Sequence, residues 1–428
     1  MSYLPVLIMF ILFALGVPVA FSLIAAAISY FLFINTSMPI NLIIQRLISS
    51  AESFPLLAVP FFITAGSVMN YAGISSRLMD MAEVLSGHLR GGLAQVNVVL
   101  SALMGGISGS SNADAAVQCK ILVPQMTKRG FGKEFSAAIT AASSVISPII
   151  PPGIGLIIYG FIANVSIGKM FIAGYIPGIL MCVALMIVVR IVAIKRQYPT
   201  TRDTRASFGE IIKQIGTSSF ALFLPFGIIM GLRFGAFTPT EAGAMTVAYS
   251  LVIGFFVYKE LKIEHLPKII KESVLGTSSV MLIICAASAF GYYMSWERIP
   301  HTISMFIIGM TESPILFLLI VNLFLLFLGM FIEGTASLII LTPLLVPTAV
   351  ALGIDPVHFG IIMVMNLTIG GVTPPFGTMI FLTSSILELK PSKVIKETLP
   401  MLVALIGALM LVTYSERFVM YLPNLIMK

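Results

Sequence analysis

The chain has 428 residues, of which 58% are hydrophobic and only 10% are Asp, Glu, Lys or Arg. A soluble domain has about a quarter of its residues charged, so this composition excludes a soluble enzyme and indicates a protein embedded in the lipid bilayer. The net charge of +7 comes from Lys and Arg in short loops, as is typical of membrane proteins. We therefore expect no nucleic-acid partner.

Five apolar passes are predicted in the first half of the chain: 3–15, 17–36, 52–78, 134–165 and 170–194. A transmembrane helix needs about 20 mostly apolar residues, and the first pass is short for that length. If it merges with the second pass, the amino terminus moves to the opposite side of the membrane. The second half has the counterparts 216–232, 237–258, 274–296, 357–388 and 397–424. An all-α polytopic protein with about ten transmembrane helices is predicted.

The prolines indicate an internal repeat. An offset of 223 residues superimposes four prolines of the first half on prolines of the second half: Pro124 on Pro347, Pro151 on Pro374, Pro152 on Pro375 and Pro177 on Pro400. Chance alone would give fewer than about one such match, and a fixed period is the mark of a repeat. We predict two homologous halves, residues 1–200 and 201–428.

Each half contains a segment, 92–127 or 315–347, that a small, polar tract interrupts. The tracts are GGISGSSNADAAV and GMFIEGTAS. Non-helical backbone at membrane depth must be buried in protein or line a wet cavity, so each segment is predicted to be a re-entrant hairpin. With this layout, nineteen of the 25 Lys and Arg residues fall on one side, which is then cytoplasmic. Both termini lie outside, and the halves are inverted relative to each other.

The passes 134–165 and 357–388 are interrupted as well, by SPIIPPGIG and GGVTPPFGT. Proline lacks an amide hydrogen and clashes with the preceding helical turn, so each Pro-Pro pair should unwind its helix and leave carbonyl oxygens without partners. Such oxygens, with hydroxyls and amides at the hairpin tips, suit a sodium ion, and exposed helix amino-termini suit a carboxylate. The alternative is that Gly, Ser and Pro merely permit close packing and kinks. The duplication favours the functional interpretation.

Two acidic residues, Asp114 and Glu333, fall at the hairpin tips. An ionisable group at membrane depth often marks an ion or proton pathway. A carboxylate at a helix amino-terminus also serves as a cap. The sequence leaves both interpretations open for each residue.

Several long motifs occur in the order found in one transporter family. They are LLAVPFFITAGSVM, GGISGSSNADAAV, ISPIIPPGIGLIIYG, GAFTPTEAGA and NLTIGGVTPPFGT. From about Leu4 to the end, the chain resembles the large membrane subunit of tripartite ATP-independent periplasmic (TRAP) transporters. The resemblance implies a sodium-driven importer of the bacterial inner membrane, in the ion-transporter superfamily, that works by an elevator movement of the domain with the hairpins and broken helices.

The resemblance also implies sites. One sodium ion is expected between the first tip and the first break, and a second between the other tip and break, with the substrate between the tips. The sodium ligands implied are Ser108, Gly109, Ser110, Asn112, Pro151, Gly153, Gly334, Thr335, Val372, Thr373 and Pro374. The substrate residues implied are Ser111, Asn112, Asp114, Thr335, Gly377 and Thr378.

Two partners follow from the resemblance: a small four-helix membrane subunit and a periplasmic substrate-binding protein. Because this chain starts near the first pass of the large subunit, the small subunit is expected to be a separate polypeptide. The family carries organic acids, and sialic acid is the first expectation here, followed by a C4-dicarboxylate.

Two rival functions remain open at this stage. A self-sufficient sodium–dicarboxylate symporter of the same superfamily would share this architecture. A membrane-embedded hydrolase could use Asp114 and Glu333 as paired acids, although the sequence has no nucleophile motif or metal-ligand cluster to support it.

Overall fold

The computed structural model describes residues 3–36, 39, 41–107, 109–311 and 313–427, and this part of the chain is helical with no strand. The α-helices up to residue 200 are α1 Leu4–Ala14, α2 Val19–Ser29, α3 Asn41–Ala51, α4 Ala58–Tyr71, α5 Ile74–Ser86, α6 Gly92–Gly105, α7 Ser111–Lys128, α8 Lys133–Ser144, α9 Ile154–Ile162 and α10 Ile167–Arg196.

The remaining α-helices follow after an eleven-residue connection, 197–207. They are α11 Phe208–Arg233, α12 Pro239–Val252, α13 Leu266–Trp296, α14 Ile299–Met310, α15 Pro314–Gly329, α16 Gly334–Ala351, α17 Pro356–Gly370, α18 Thr378–Ile386, α19 Pro391–Tyr414, α20 Glu416–Val419 and α21 Tyr421–Ile426. Short 3₁₀ helices cover Phe54–Leu57 and Ile263–His265, and π-helical turns cover Tyr30–Ile34 and Ile253–Val257.

Seven helical segments are long and apolar enough to cross a membrane. They are Phe54–Tyr71, Ile167–Arg196, Phe208–Arg233, Pro239–Val257, Ile263–Trp296, Gly334–Ala351 and Pro391–Tyr414. The predicted all-α polytopic membrane fold is confirmed. The number of ten spans, the inverted orientation of the halves and the elevator movement stay predictions.

Helix boundaries recur along the chain at the offset of 223 residues. Helix α7 covers Ser111–Lys128, and the same shift gives the bounds of α16, Gly334–Ala351. The π-helical turn at Tyr30–Ile34 likewise shifts onto the turn at Ile253–Val257. This recurrence agrees with a repeat, while the division at residue 200 stays a prediction.

Four predicted passes have other boundaries in the structure, and one of them, 216–232, begins earlier, at Phe208. The segment 52–78 is not one pass, because Gly73 in the left-handed region (φ +75°) ends the helical path between α4 and α5. The segment 397–424 is also divided, because Ser415 (φ −124°, ψ 63°) ends α19 before α20 and α21. The segment 274–296 begins earlier, at Leu266, with a proline in the first turn.

Two helices, α3 and α14, were not predicted as separate elements. At the amino terminus, the segments 3–15 and 17–36 form separate helices that pack against each other. Helix α1 has only 11 residues, which is short for a full crossing.

The largest hydrophobic core joins the hairpins to the broken helices. Helix α7 packs against α8, α16 packs against α9 and α17, and α10 packs against α17 and α19. A second core joins α1 and α2 to α13. The functional site described next lies within the first group of helices.

Candidate functional site

The tip of the first hairpin lies against the first helix break. Gly109 adopts φ +53°, and a Cβ atom added to it would lie 2.5 Å from the carbonyl oxygen of Pro152. Only glycine accommodates both this backbone conformation and this approach. Helix α7 then begins at Ser111, so its amino-terminus faces the break.

The tip of the second hairpin is closed by Glu333, which caps α16. Its Oε2 accepts a hydrogen bond from the backbone N–H of Ala336 at 3.0 Å, and its Oε1 accepts one from the Thr335 hydroxyl at 2.8 Å. Of the two interpretations that the sequence left open for Glu333, capping is confirmed. The carboxylate is also exposed, and it could still face an ion.

The two helix breaks have the same construction. Helix α8 ends at Ser144 and α9 begins at Ile154; α17 ends at Gly370 and α18 begins at Thr378. The Pro151–Pro152 and Pro374–Pro375 bonds are both cis. Among the described residues, no hydrogen bond reaches the backbone carbonyl oxygens of residues 151, 152, 373 and 374. The breaks therefore present carbonyl groups that helices would have satisfied.

Both hairpin tips and both broken helices line one cavity of about 200 Å³. Its walls are formed by Gly109, Ser110, Ser111, Asn112, Pro148, Ile154, Gly155, Val280, Glu333, Gly334, Thr335, Leu338, Val364, Leu367, Thr368, Gly371, Thr378 and Met379. Segments that are more than 200 residues apart in sequence therefore meet at one place.

Four helix amino-termini meet at this cavity: those of α7, α9, α16 and α18. Each amino-terminus carries unpaired N–H groups and a partial positive charge. Among the described residues that line the cavity, Glu333 is the single charged one, and none is Lys, Arg or His. The cavity can therefore hold an anion through backbone groups and hydroxyls, without a fixed cationic side chain.

Seven of the residues that the resemblance implied line the cavity: Gly109, Ser110, Ser111, Asn112, Gly334, Thr335 and Thr378. Others lie in the breaks behind it: Pro151, Gly153, Val372, Thr373, Pro374 and Gly377. Gly377 is close to the second break, since a Cβ atom added to it would lie 3.1 Å from the carbonyl oxygen of Thr373. Ser108 lies outside the described residues.

Asp114 does not line the cavity. Its side chain is fully buried, where Oδ1 accepts a hydrogen bond from Gln118 at 2.6 Å and Oδ2 accepts one from the Ser147 hydroxyl at 2.9 Å. Gln118 also donates to the Ser101 hydroxyl at 2.7 Å. Asp114 is not the cap of α7, because Ser110 occupies that position. Its network instead joins both hairpin helices to the first break.

Two buried asparagine contacts that the sequence reasoning missed support the breaks. Asn97 on α6 accepts a hydrogen bond from Ser143 on α8 at 2.7 Å. In the second half, Asn366 on α17 donates to Asn322 on α15 at 2.7 Å. An asparagine inside an apolar run was the available signal, because a buried polar group needs a partner.

Thr368, another residue that the reasoning missed, lines the cavity from the last turn of α17. Within the described part of the chain, no group of three or more His, Cys, Asp or Glu residues could hold a metal ion. An ion at this site would depend on carbonyl and hydroxyl oxygens, which suit a hard cation.

Comparison with known proteins identifies one transporter family over nearly the whole chain. Residues 6–418 match the family "Tripartite ATP-independent periplasmic transporter, DctM component". The chain is 40% identical to the sialic acid TRAP transporter large permease protein SiaM of Vibrio cholerae, over 97% of this chain and 96% of that protein. It is 38% identical to the C4-dicarboxylate TRAP transporter large permease protein DctM of Pseudomonas aeruginosa, over 89% and 88% of the two chains.

A solved structure supports the fold. The YdaH transporter of Alcanivorax borkumensis superimposes with a TM-score of 0.64, over 91% of this chain and 90% of that one, at 14% sequence identity. The hydrolase interpretation has no support from these matches, which are to transport proteins. The chain belongs to the DctM family of large permease subunits of TRAP transporters, as a multi-pass protein of the bacterial inner membrane.

Proposed function

We propose that this subunit imports a small organic acid through the cavity between the hairpin tips, driven by sodium. The observation that carries the proposal is the meeting of four helix amino-termini at one cavity whose described lining has no cationic side chain. Helix amino-termini bind carboxylates through their N–H groups and partial charge. A broken-helix transporter that uses this arrangement needs no arginine in the binding site.

Sodium coupling is supported by the oxygen atoms around the cavity. The first ion would lie between the tip residues Ser108–Asn112 and the break at 151–153, and the second between Gly334, Thr335 and the break at 372–374. The approach of Gly109 to the Pro152 carbonyl oxygen brings tip and break within reach of a common ion. A cation beside Glu333 would also reduce its repulsion of an anionic substrate.

The names of the relatives support an organic acid as the substrate class. Sialic acid is our first candidate, since a relative named for sialic acid is 40% identical. A C4-dicarboxylate is the second, since a relative named for it is 38% identical. All these compounds carry a carboxylate, the group that the helix amino-termini would bind.

Two partners complete the proposed transporter: a small membrane subunit and a periplasmic binding protein that delivers the acid. The name of the family describes a tripartite periplasmic system, which supports this composition over a self-sufficient symporter. Proteoliposomes that contain the chain alone should show no uptake. If the chain alone takes up the acid as fast as the complete transporter does, the result would favour the self-sufficient symporter.

The sodium proposal is tested by uptake of radiolabelled acids in proteoliposomes that contain the complete transporter. We expect uptake with an inward sodium gradient and none with potassium only. Asn112→Ala and Thr335→Ala should each reduce uptake at least about tenfold, because loss of one charge-assisted oxygen contact costs about 1.5–3 kcal/mol. Full uptake in potassium would contradict the proposal.

Thr127→Ala provides the matched control for Thr335→Ala. The Thr127 hydroxyl donates only within its own helix, to the Val123 and Pro124 carbonyl groups, and Thr127 does not line the cavity. We expect normal uptake from this variant. Thr335→Ser, which keeps the hydroxyl, should restore most of the activity.

A further inference from the structure

A second cavity, of about 550 Å³, lies beside the carboxyl-terminal half of α10 and shares no residue with the cavity between the hairpin tips. Three arginines line it: Arg90 from the loop before α6, Arg190 from α10, and Arg205 from the connection before α11. One lining residue, Asp203, is acidic. The cavity therefore carries a net positive charge.

The three guanidinium groups are available for a ligand. Within the described ranges, none of them forms an ion pair with a carboxylate. The neighbouring Arg202, by contrast, pairs with Glu210 at 3.1 Å. Arg90, Arg190 and Arg205 are exposed, and arginine is the side chain that best matches a phosphate group.

Backbone contacts bring the three arginines together from separate elements. Gln95 donates to the Met186 carbonyl oxygen at 3.0 Å and to the Arg90 carbonyl oxygen at 3.4 Å, which fixes the loop before α6 against α10. The N–H groups of Thr201 and Arg202 donate to the Gly87 carbonyl oxygen at 2.9 and 3.1 Å. These contacts also hold the connection that carries Arg205, so the cluster is positioned before a ligand arrives.

His88 also lines the cavity and lies close to one of its arginines, Arg205. Burial lowers the pKa of its imidazole, and the positive charges of Arg205 and Arg202 lower that pKa further. His88 is therefore neutral at pH 7, and the positive charge of the cavity resides on the arginines.

The remaining wall of the cavity is apolar and faces outward. Val183 and Ile187 are 47% and 55% exposed, and both belong to α10, one of the helices long enough to span the membrane. An exposed aliphatic surface on such a helix is suited to contact with acyl chains, which are as apolar as the side chains. A ligand of this cavity would thus meet arginines at one end and a lipid-facing surface at the other.

We propose that this cavity binds an anionic phospholipid, with the phosphate on the arginines and an acyl chain along Val183 and Ile187. Basic pockets between transmembrane helices on the cytoplasmic side are known to suit such headgroups. The predicted topology places this end of α10 on the cytoplasmic side. The bound lipid would fasten the connection between the two halves of the chain to α10.

The test measures thermal unfolding of the full-length chain in neutral detergent, titrated with phosphatidylglycerol, phosphatidylcholine or inorganic phosphate. We expect phosphatidylglycerol to raise the melting temperature at a low mole fraction, and the other two to have little effect. An equal effect of phosphatidylcholine would contradict a charge-selective site. An equal effect of inorganic phosphate would indicate a soluble-anion site and overturn the lipid assignment.

The double variant Arg90→Gln/Arg190→Gln should raise the half-maximal concentration of phosphatidylglycerol about 25-fold, since each arginine contributes about fivefold. Arg205→Gln should raise it about fivefold. The control Lys128→Gln/Arg129→Gln removes the same charge from exposed positions outside the cavity and should leave it unchanged. If phosphatidylglycerol binds the control and the double variant equally weakly, the effect depends on general surface charge, and the proposal is contradicted.

A variant that fails to fold is recognised by its elution profile in detergent and by its melting temperature without lipid. Native mass spectrometry provides the second readout, because it counts lipid molecules that remain bound to the folded chain. We expect one phosphatidylglycerol on the parent chain and on the control, and a lower occupancy in Arg205→Gln. Equal occupancy in all variants would contradict the site.

Discussion

At the scale of single residues, Gly109 is the position in the candidate site where a side chain is tolerated least. An added Cβ atom would lie 2.5 Å from the Pro152 carbonyl oxygen, and the residue has φ +53°. Gly109→Ala should therefore separate the tip from the break and abolish most uptake. The measurement is sodium-driven uptake together with the melting temperature of the variant.

Gly130→Ala is the matched control for that variant. Gly130 also has a positive φ, +88°, but an added Cβ atom would meet nothing within 4 Å. Both variants have the backbone strain of about 1–3 kcal/mol, and Gly109→Ala alone adds the clash with the break. Equal uptake by the two variants would show that the contact at Gly109 is unimportant.

Asp114 is expected to act on stability and not on substrate affinity. It is fully buried and accepts hydrogen bonds from Gln118 and Ser147. Asp114→Ala removes a buried acceptor from Gln118 and from Ser147, which keep only their contacts with Ser101, at a cost of about 1–3 kcal/mol. The melting temperature should fall, while the substrate concentration at half-maximal uptake should stay within about twofold. A large change in that concentration without a loss of stability would place Asp114 at the substrate.

The sequence predicted the position of the tips, because Gly, Ser and Asn stand out in an apolar chain, and the ligand roles of the tip residues stay predictions. It could not separate the roles of Asp114 and Glu333. Both follow a glycine-rich tract near the start of a helix, and the difference depends on which partners the fold brings to each carboxylate. Glu333 accepts a hydrogen bond from the N–H of Ala336, whereas Asp114 accepts hydrogen bonds from the side chains of Gln118 and Ser147.

At the scale of elements, a buried polar pair joins each broken helix to the first helix of its hairpin. One pair joins α8 to α6, and the other joins α17 to α15. Asn366 donates to Asn322 at 2.7 Å, and Asn322 donates to the Thr413 hydroxyl at 3.0 Å. Such a pair is costly to break from one side, since one group is left buried and unpaired. The pairs hold the carboxyl-terminal ends of α8 and α17, next to the breaks, against α6 and α15.

A double-mutant cycle measures this fastening. Asn366→Leu should lower the free energy of unfolding by about 1–3 kcal/mol because it leaves Asn322 without its partner. The double variant Asn322→Leu/Asn366→Leu should be more stable than the sum of the single changes predicts. The loss of Asn322 does not leave the Thr413 hydroxyl without a partner, because this hydroxyl also donates to the Leu409 carbonyl oxygen. Strictly additive losses would mean that the pair does not fasten the helices.

Element boundaries near the hairpins and breaks were predictable from proline and glycine. The hairpin predicted at 92–127 corresponds to Gly92–Gly105 followed by Ser111–Lys128. Helices α3 and α14 were harder to predict. Helix α3 contains several polar residues, including Gln45, Arg46 and Ser49, and α14 follows directly after Arg298 in a left-handed conformation. Apolar length, the main signal used for passes, does not detect such helices.

At the scale of the whole molecule, the distribution of Lys and Arg predicts both termini on the periplasmic side. A carboxyl-terminal fusion to alkaline phosphatase should be active, since that enzyme requires the periplasm. A fusion to green fluorescent protein at the same position should be dark. The reverse pattern would overturn the predicted topology, and with it the cytoplasmic position of the arginine-lined cavity.

The central claim is that the two hairpin tips and the two helix breaks form one binding site for a carboxylate. The most direct measurement is a density map of the complete transporter with sodium and its saturating substrate, identified by uptake. We predict substrate density in the cavity, with its carboxylate at the amino-termini of α7 and α16. Substrate density elsewhere in the chain, with this cavity unchanged, would contradict the account.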